Sequence, residues 1–279
     1  MKQLQSRAPQ ARSSPRAEAD LVGADLDSDL AVLRVDVPAG ELHPVRMGDS
    51  GEVRVGELAV AIGNTFGQEG TMTVGIVSAI GRLLPVQSNN RMAPRYSIPA
   101  IIQTDAPINP GNSGGMLLND RGEVIGVTTA IISPAQVSAG VGFAVPSAIV
   151  QNVVPTLIED GEYRHPYLGI SGASLTPDLA EAMDLPASQR GALVIDVVDG
   201  GPAAEAGMQG SDAQVEIDGQ PVRVGGDVIT AIDDQPVLSM DEIITYLARA
   251  TEVGDTVTLT VLRDGQEVEV TVILGERPG

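Results

Sequence analysis

Between Ala19 and Pro146 the chain is a succession of short aliphatic runs closed by Gly, Asp or Asn, with no long helical pattern among them. Such punctuation confines that half to an all-β sandwich or barrel. "DLAVLRV" (29–35) and "GELAVAIGN" (56–64) read as strands. "GTMTVGIVSAIGR" (70–82) sets Met72, Val74 and Ile76 on one side against Thr71 and Thr73 on the other. "GMLLNDRGEVIGVTTAI" (115–131) places two apolar runs around "NDRG", a hairpin signal. Aromatic residues make up only 2% and Trp is absent, so the core must be built from Val, Ile, Leu, Ala and Met.

The first helical pattern arrives with "PSAIVQNVVPTLIEDG" (146–161). Apolar residues fall at 149, 150, 153, 154, 157 and 158, with Ser147 expected as N-cap and Gly161 as the stop. Pro155 lies inside and is expected to kink or shorten the helix. "EYRHP" follows as a short polar connection. The boundaries are therefore a first domain over 20–160, a linker over 161–166 and a second domain over 167–276. The second domain mixes strands ("GALVIDVV", "GDVITAID", "DTVTLTVLRDGQEVEVTVIL") with two short helices, "GPAAEAGM" and "SMDEIITYLARA". Its last two strands alternate around Asp264-Gly265, a type I′ hairpin signature. In the second helix Ile243, Ile244, Leu247 and Ala248 share a face, and Ser239 can cap the free N–H groups at its start.

Length and charge narrow the function. At 279 residues the chain suffices for one large or two ordinary domains. A net charge of −20 argues against nucleic acid and anionic membrane surfaces as partners. The absence of cysteine excludes disulfides, thiolate-bound zinc and cysteine nucleophiles. No stretch reaches the length of a transmembrane helix, and no apolar run follows the N-terminal charges as a signal peptide requires. Residues 1–19, with Lys2, Arg7, Arg12 and Arg16 against Glu18 alone, read as a disordered or foreign leader.

Residues 109–115, "NPGNSGG", hold a lone serine among glycines. A serine hydroxyl is a weak nucleophile until a base takes its proton, and the oxyanion that follows must meet donors. Flanking glycines let the amides of Gly111 and Ser113 converge on one point. Clusters of Gly, Asn and Ser also make ordinary turns, and spacing alone leaves both readings open. The same residues satisfy G-x-S-x-G, but that elbow needs a helix after the serine and a later histidine. Here a hairpin follows, and the only later histidine, His165, sits in the interdomain connection, so the elbow is rejected. The order His, Asp, Ser belongs to the chymotrypsin-like double β-barrel. "DLDSDLAVLRV" supplies an acid, Asp29, which without context reads as a turn residue at a strand start.

"SDLAVLRV", "VGELAVAIGNTFG", "TVGIVSAIGR", "IQTDAPINPGNSGG", "GEVIGVTTAI" and "GVGFAVPS" occur in an order and spacing that resemble the HtrA/Deg family of trypsin-like serine proteases with PDZ domains, from about Asp20 to Glu276. The resemblance implies a mostly β protein: a chymotrypsin-like double β-barrel, its first barrel incomplete here, then an α+β PDZ domain. It implies that Ser113 is the nucleophile, Asp29 the acid, and Gly111 and Ser113 the oxyanion-hole amides. Ile108 and Ile131 match positions lining the S1 pocket, which implies small or medium apolar P1 residues. "YLGI" would be the carboxylate-binding loop, with amides of Leu168, Gly169 and Ile170 meeting a peptide terminus and the "SMDEIITYLARA" helix as the other wall. "QGSDAQVEIDGQPVRVGG" (209–226) is longer than the usual connection there and looks like an inserted hairpin. Family members act on unfolded extracytoplasmic polypeptides, bind apolar C-termini, are usually exported or anchored homotrimers, and need no metal or organic cofactor.

One departure stands out. The family's catalytic histidine precedes the acid, yet none of the 28 residues before Asp29 is histidine. The chain has two histidines: His43 lies after the acid in "GELHPVRMG", and His165 in the linker. The resemblance thus implies an N-terminally incomplete chain, through a misplaced start or a truncation, with little or no proteolysis. A purposeful pseudoprotease acting as a PDZ adaptor is the alternative; leaving out early strands exposes sheet edges, which disfavours it.

Overall fold

The computed structural model describes residues 17–64, 70–85, 97–129 and 140–278. The chain opens with an antiparallel hairpin of β1 (Ala19–Asp25) and β2 (Leu30–Val35). Six strands then close into a barrel: β3 (Leu58–Gly63), β4 (Thr71–Pro85), β5 (Ser97–Thr104), β6 (Met116–Leu118), β7 (Val124–Thr128) and β8 (Gly142–Pro146). Around the barrel they run β3-β4-β5-β8-β7-β6, every pair antiparallel. Ala59, Ala61, Val77, Ile102, Leu117 and Ile125 fill its interior. The expected alternation of β4 holds: Met72, Val74 and Ile76 share one face, and that face is open, at 63%, 56% and 43% exposure.

Helix α1 (Ser147–Glu159) joins barrel and hairpin, because Ile149, Val153 and Leu157 pack with Leu30 of β2 and with Leu84, Ile98 and Ile101. Gly23 allows the close approach: a side chain there would meet the carbonyl oxygens of Gly161 and Leu157 at 2.7 and 2.8 Å. One expectation needs correction. Ser147 is the first helical residue rather than the cap, and Pro146 occupies the cap position. The buried Ser147 hydroxyl is instead committed to the segment that leads into the barrel, donating to the Gly48 carbonyl (2.7 Å) and accepting from the Ser50 amide (3.1 Å). Pro155 does not shorten the helix, which runs 13 residues through it. Pro155 is exposed while Val153 and Leu157 hold the turns on either side in the core, so the missing hydrogen bond falls on the solvent side. Gly161 ends the helix as expected, with φ +81° and its amide on the Leu157 carbonyl.

The second domain comprises β9 (Pro166–Tyr167), β10 (Ile170–Ser174), α2 (Pro177–Ala182), β11 (Ala192–Val197), α3 (Pro202–Glu205), β12 (Ala213–Ile217) and β13 (Gln220–Val224). It continues with β14 (Val228–Ile232), β15 (Gln235–Pro236), α4 (Met240–Ala250), β16 (Thr256–Arg263), β17 (Gln266–Ile273) and β18 (Gly275–Glu276). Its main sheet has the order β10-β11-β14-β16-β17, with β10 at one edge. The β16–β17 turn is the type I′ hairpin read from the sequence, Asp264 at φ +51° and Gly265 at φ +74°. Ser239 caps α4 by accepting from the Glu242 amide. Helix α2 escaped the sequence reading, although "TPDL" carried its signal: Thr176 caps by accepting from the Leu179 amide and Pro177 opens the first turn. The 209–226 segment is a hairpin, β12 paired with β13, and its Val215, Ile217 and Val222 join a second core layer with Leu175, Leu179 and Leu193.

Candidate functional site

The serine loop is shaped by two glycines. Gly114 has φ +80°, open to glycine at no steric cost, and a side chain on Gly115 would lie 2.3 Å from the Ile62 carbonyl oxygen of β3. The loop is then tied to β7: the Gly114 amide reaches the Thr128 carbonyl (2.8 Å), the Thr128 amide reaches Gly115 (2.9 Å), and the Thr128 hydroxyl donates to the Asn112 carbonyl. Asn112 is buried, while Gly111 and Ser113 on either side of it are exposed. Neither the Gly111 nor the Ser113 amide donates to another described residue. Two such amides on one exposed turn can receive an oxyanion.

Asp29 stands at the end of the β1–β2 turn with φ +56°, a conformation that Asp tolerates better than most residues. Its carboxylate accepts from the hydroxyl of Thr129, and the Ser113 hydroxyl lies 3.5 Å from the Thr129 carbonyl. Thr129, almost fully buried, thus stands between acid and serine, 100 residues from Asp29 and 16 from Ser113 in the sequence. Sequence reading missed it; the only trace was a second threonine ending the aliphatic run "GEVIGVTT". Ile108 is fully buried in the barrel interior, packed so closely on Gly142 that a side chain there would meet its Cδ1 at 2.8 Å. Ile131 lies outside the described residues.

No histidine joins Ser113 and Asp29. His43 is exposed on the segment between β2 and β3. His165 is engaged elsewhere: its Nε2 lies 2.9 Å from Asp25 and 3.7 Å from Asp27, and its ring meets Tyr163 edge-on. The guanidinium of Arg277 also contacts Asp27, and the Arg277 amide donates to the His165 carbonyl. Two carboxylates of the first domain therefore meet two basic side chains of the linker and C-terminal segment. Burial pushes the Asp25 carboxyl up, but hydrogen bonds from His165 and Ser28 outweigh it and hold the group below the usual carboxylate value. Ligand atoms of Asp25, Asp27 and His165 come within 4.8 Å of one another, a spacing open to a cation, yet Arg277 already brings positive charge there.

Beside this junction lies a cavity of about 350 Å³. Leu168, Gly169 and Ile170 form one wall, Met240, Ile243, Ile244 and Leu247 of α4 the other, and Leu83 and Pro99 reach it from the barrel. The sequence-predicted loop and helix are thus brought together. Gly169 has φ +80°. The Leu168 carbonyl accepts from Ala203 and the Gly169 carbonyl from Val198, both at 2.8 Å, whereas neither amide donates to a described residue. Carbonyls tied inward with amides left over give a loop that can receive an anion.

Residues 4–127 match a family model described as a trypsin-like peptidase domain, and residues 166–274 one described as a PDZ domain. The first match opens inside the segment read above as a leader. Barrel, serine loop and grooved second domain define a trypsin-like peptidase domain followed by a PDZ domain. The chain is 39% identical over 257 residues to the periplasmic serine endoprotease DegP of Escherichia coli (strain K12), covering 92% of this chain and 49% of that protein. It is 40% identical over 262 residues to Protease Do-like 1, chloroplastic, of Arabidopsis thaliana, covering 94% and 56%. The solved HtrA-type protease AlgW with a tripeptide is similar at a TM-score of 0.69 and 38% identity, over 94% of this chain and 78% of that one. This chain belongs to the HtrA/Deg family. It spans about half the length of the curated relatives it matches.

Proposed function

We propose that the chain carries the serine half of an HtrA/Deg-type endopeptidase for unfolded extracytoplasmic polypeptides, and that as given it is proteolytically silent. In this reading Ser113 is the nucleophile, Gly111 and Ser113 supply the oxyanion amides, and Asp29, held by Thr129, is the acid meant to orient a base. The observation that carries it is the alignment of Asp29, Thr129 and Ser113 with both histidines of the chain absent from it. Without a base the hydroxyl keeps its proton, and only binding and oxyanion stabilisation remain. Ile108 and Ile131 belong to the S1 wall in the same reading. The relatives named periplasmic support an extracytoplasmic setting, and the family's trimeric assembly is part of the proposal. The test is a fluorophosphonate probe with unfolded casein as substrate. The expected result is no labelling of Ser113 and no turnover above the S113A variant; stoichiometric labelling overturns it.

A second reading has its own observation. The free amides of Leu168 and Gly169 above an apolar cavity suit the terminal carboxylate and last side chain of a peptide, which would add as a strand to β10. A silent protease domain with a working groove is a C-terminus-binding adaptor. Binding of a labelled peptide ending in an apolar residue, measured by fluorescence anisotropy, tests it; no binding at millimolar protein removes the adaptor reading.

A further inference from the structure

The inserted hairpin sits where it can read a ligand. Ile170 and Ser171 are neighbours on the edge strand β10, so their side chains point to opposite faces. Ile170 packs into the core that α4 covers. Ser171, exposed, stands on the other face, directly across from Asp196 of β11. The Ser171 hydroxyl donates to the Asp196 carboxylate (3.0 Å), and Arg223 of β13 donates to its other oxygen. A second Arg223 nitrogen donates to the Ser211 carbonyl at 2.7 Å. The hairpin thus projects a positioned guanidinium over the outer face of the peptide-receiving edge.

We propose that Ser171, Asp196 and Arg223 form a specificity site for the penultimate side chain of a bound C-terminal peptide, and that it favours an acidic residue there. The inference rests on the groove reading above. A peptide antiparallel to β10, with its carboxylate at the Leu168–Ile170 amides, sets its last residue beside Ile170 and the one before it beside Ser171. Alternation sends the last side chain toward α4 and the penultimate one toward Ser171. The chemistry there is lopsided. Asp196 accepts from two donors, and its carboxyl is held below its ordinary value by hydrogen bonds from Arg223 and Ser171. Arg223 has five N–H donors, of which the described residues take two. Its side chain is 45% exposed, so the remaining donors are within reach of a ligand carboxylate.

Three fluorescein-labelled decapeptides that differ only in their last three residues, Ala-Glu-Val, Ala-Ala-Val and Ala-Lys-Val, test the inference on the whole chain by anisotropy. The glutamate peptide should bind roughly three- to fivefold tighter than the lysine peptide, as suits a partly exposed ion pair. Raising the salt from about 0.05 to 0.5 M should erase most of that ratio. R223Q should collapse the spread among the three to less than about twofold, while R223K keeps part of it. If none of the peptides binds, the groove reading itself fails. If they bind with no preference in the unaltered chain, or if the preference persists in folded R223Q, the groove stands and this specificity site is overturned. The salt arm needs no variant and decides the matter should R223Q fail to fold.

Discussion

The serine loop and the PDZ groove are both cradles of backbone amides built with glycines, yet they differ in what completes them. The groove draws its amides and most of its apolar wall from one domain: Leu168, Gly169 and Ile170 face α4 across a cavity that Leu83 and Pro99 reach from the barrel. The serine loop has its amides, but the side chains gathered near it come from separate segments, Asp29 from the first hairpin and Thr129 from just after β7, with neither histidine beside them. The sheet beside it tells the same story. The outer face of β3 and β4 leaves Leu58, Met72, Val74 and Ile76 exposed, whereas the PDZ sheet buries Ile229, Leu259, Val261 and Val272 under its helices. A receptor built mostly from one stretch of backbone depends on local conformation, whereas a site assembled from several side chains depends on each of them being brought into place.

The sharpest way to separate the two is to damage each core. Leu157→Ala in α1 and Ile243→Ala in α4 each remove a buried aliphatic side chain, at about 2–5 kcal/mol by chemical denaturation. Only I243A should also weaken peptide binding, since Ile243 lines the cavity; equal losses of binding would mean that the domains are not independent. Asp25→Asn comes next. It removes a buried hydrogen-bonded carboxylate at a cost of about 1–3 kcal/mol near neutral pH. Because the folded group titrates below its ordinary value, its contribution is present in full above the unfolded value of about 4 and is lost as pH falls through the folded one. Unfolding curves of D25N and the unaltered chain should therefore converge between pH 5 and pH 2, roughly the span over which such carboxylates titrate. Gly169→Ala is smaller. It forces a side chain into φ +80°, 3.3 Å from Pro202, for about 1–2 kcal/mol and a loss of peptide affinity of about tenfold or more. Ser113→Ala should do least, changing stability by less than about 0.5 kcal/mol and turnover not at all; a measurable drop in turnover would show that the serine has a base after all.

Much of this was legible beforehand for local reasons. Period-two alternation in "GTMTVGIVSAIGR", the Asp264-Gly265 turn, the Ser239 cap and the hairpin within 209–226 are each set by neighbours in the chain, and each appears as read. Ser147 misled because a polar residue before an apolar stripe reads as a cap, while its hydroxyl was claimed by Gly48 and Ser50, nearly a hundred residues away. Thr129 was invisible for the same reason: its value lies in meeting Asp29 across 100 residues.

What the sequence by itself determined is the glycine-framed serine, the HtrA/Deg pattern, the PDZ loop and helix, and the want of a histidine before Asp29. Those follow from residue identity and spacing, which short-range sterics and hydrogen bonding translate directly into turns, strands and caps. Only the tertiary structure decided that His165 answers to Asp25 and Asp27 rather than to Ser113, that Thr129 joins acid to serine, and that Arg223 overlooks the edge of the groove. Each of these rests on contacts between groups well separated in sequence, and packing the two domains and the inserted hairpin is what brings such groups within hydrogen-bond reach.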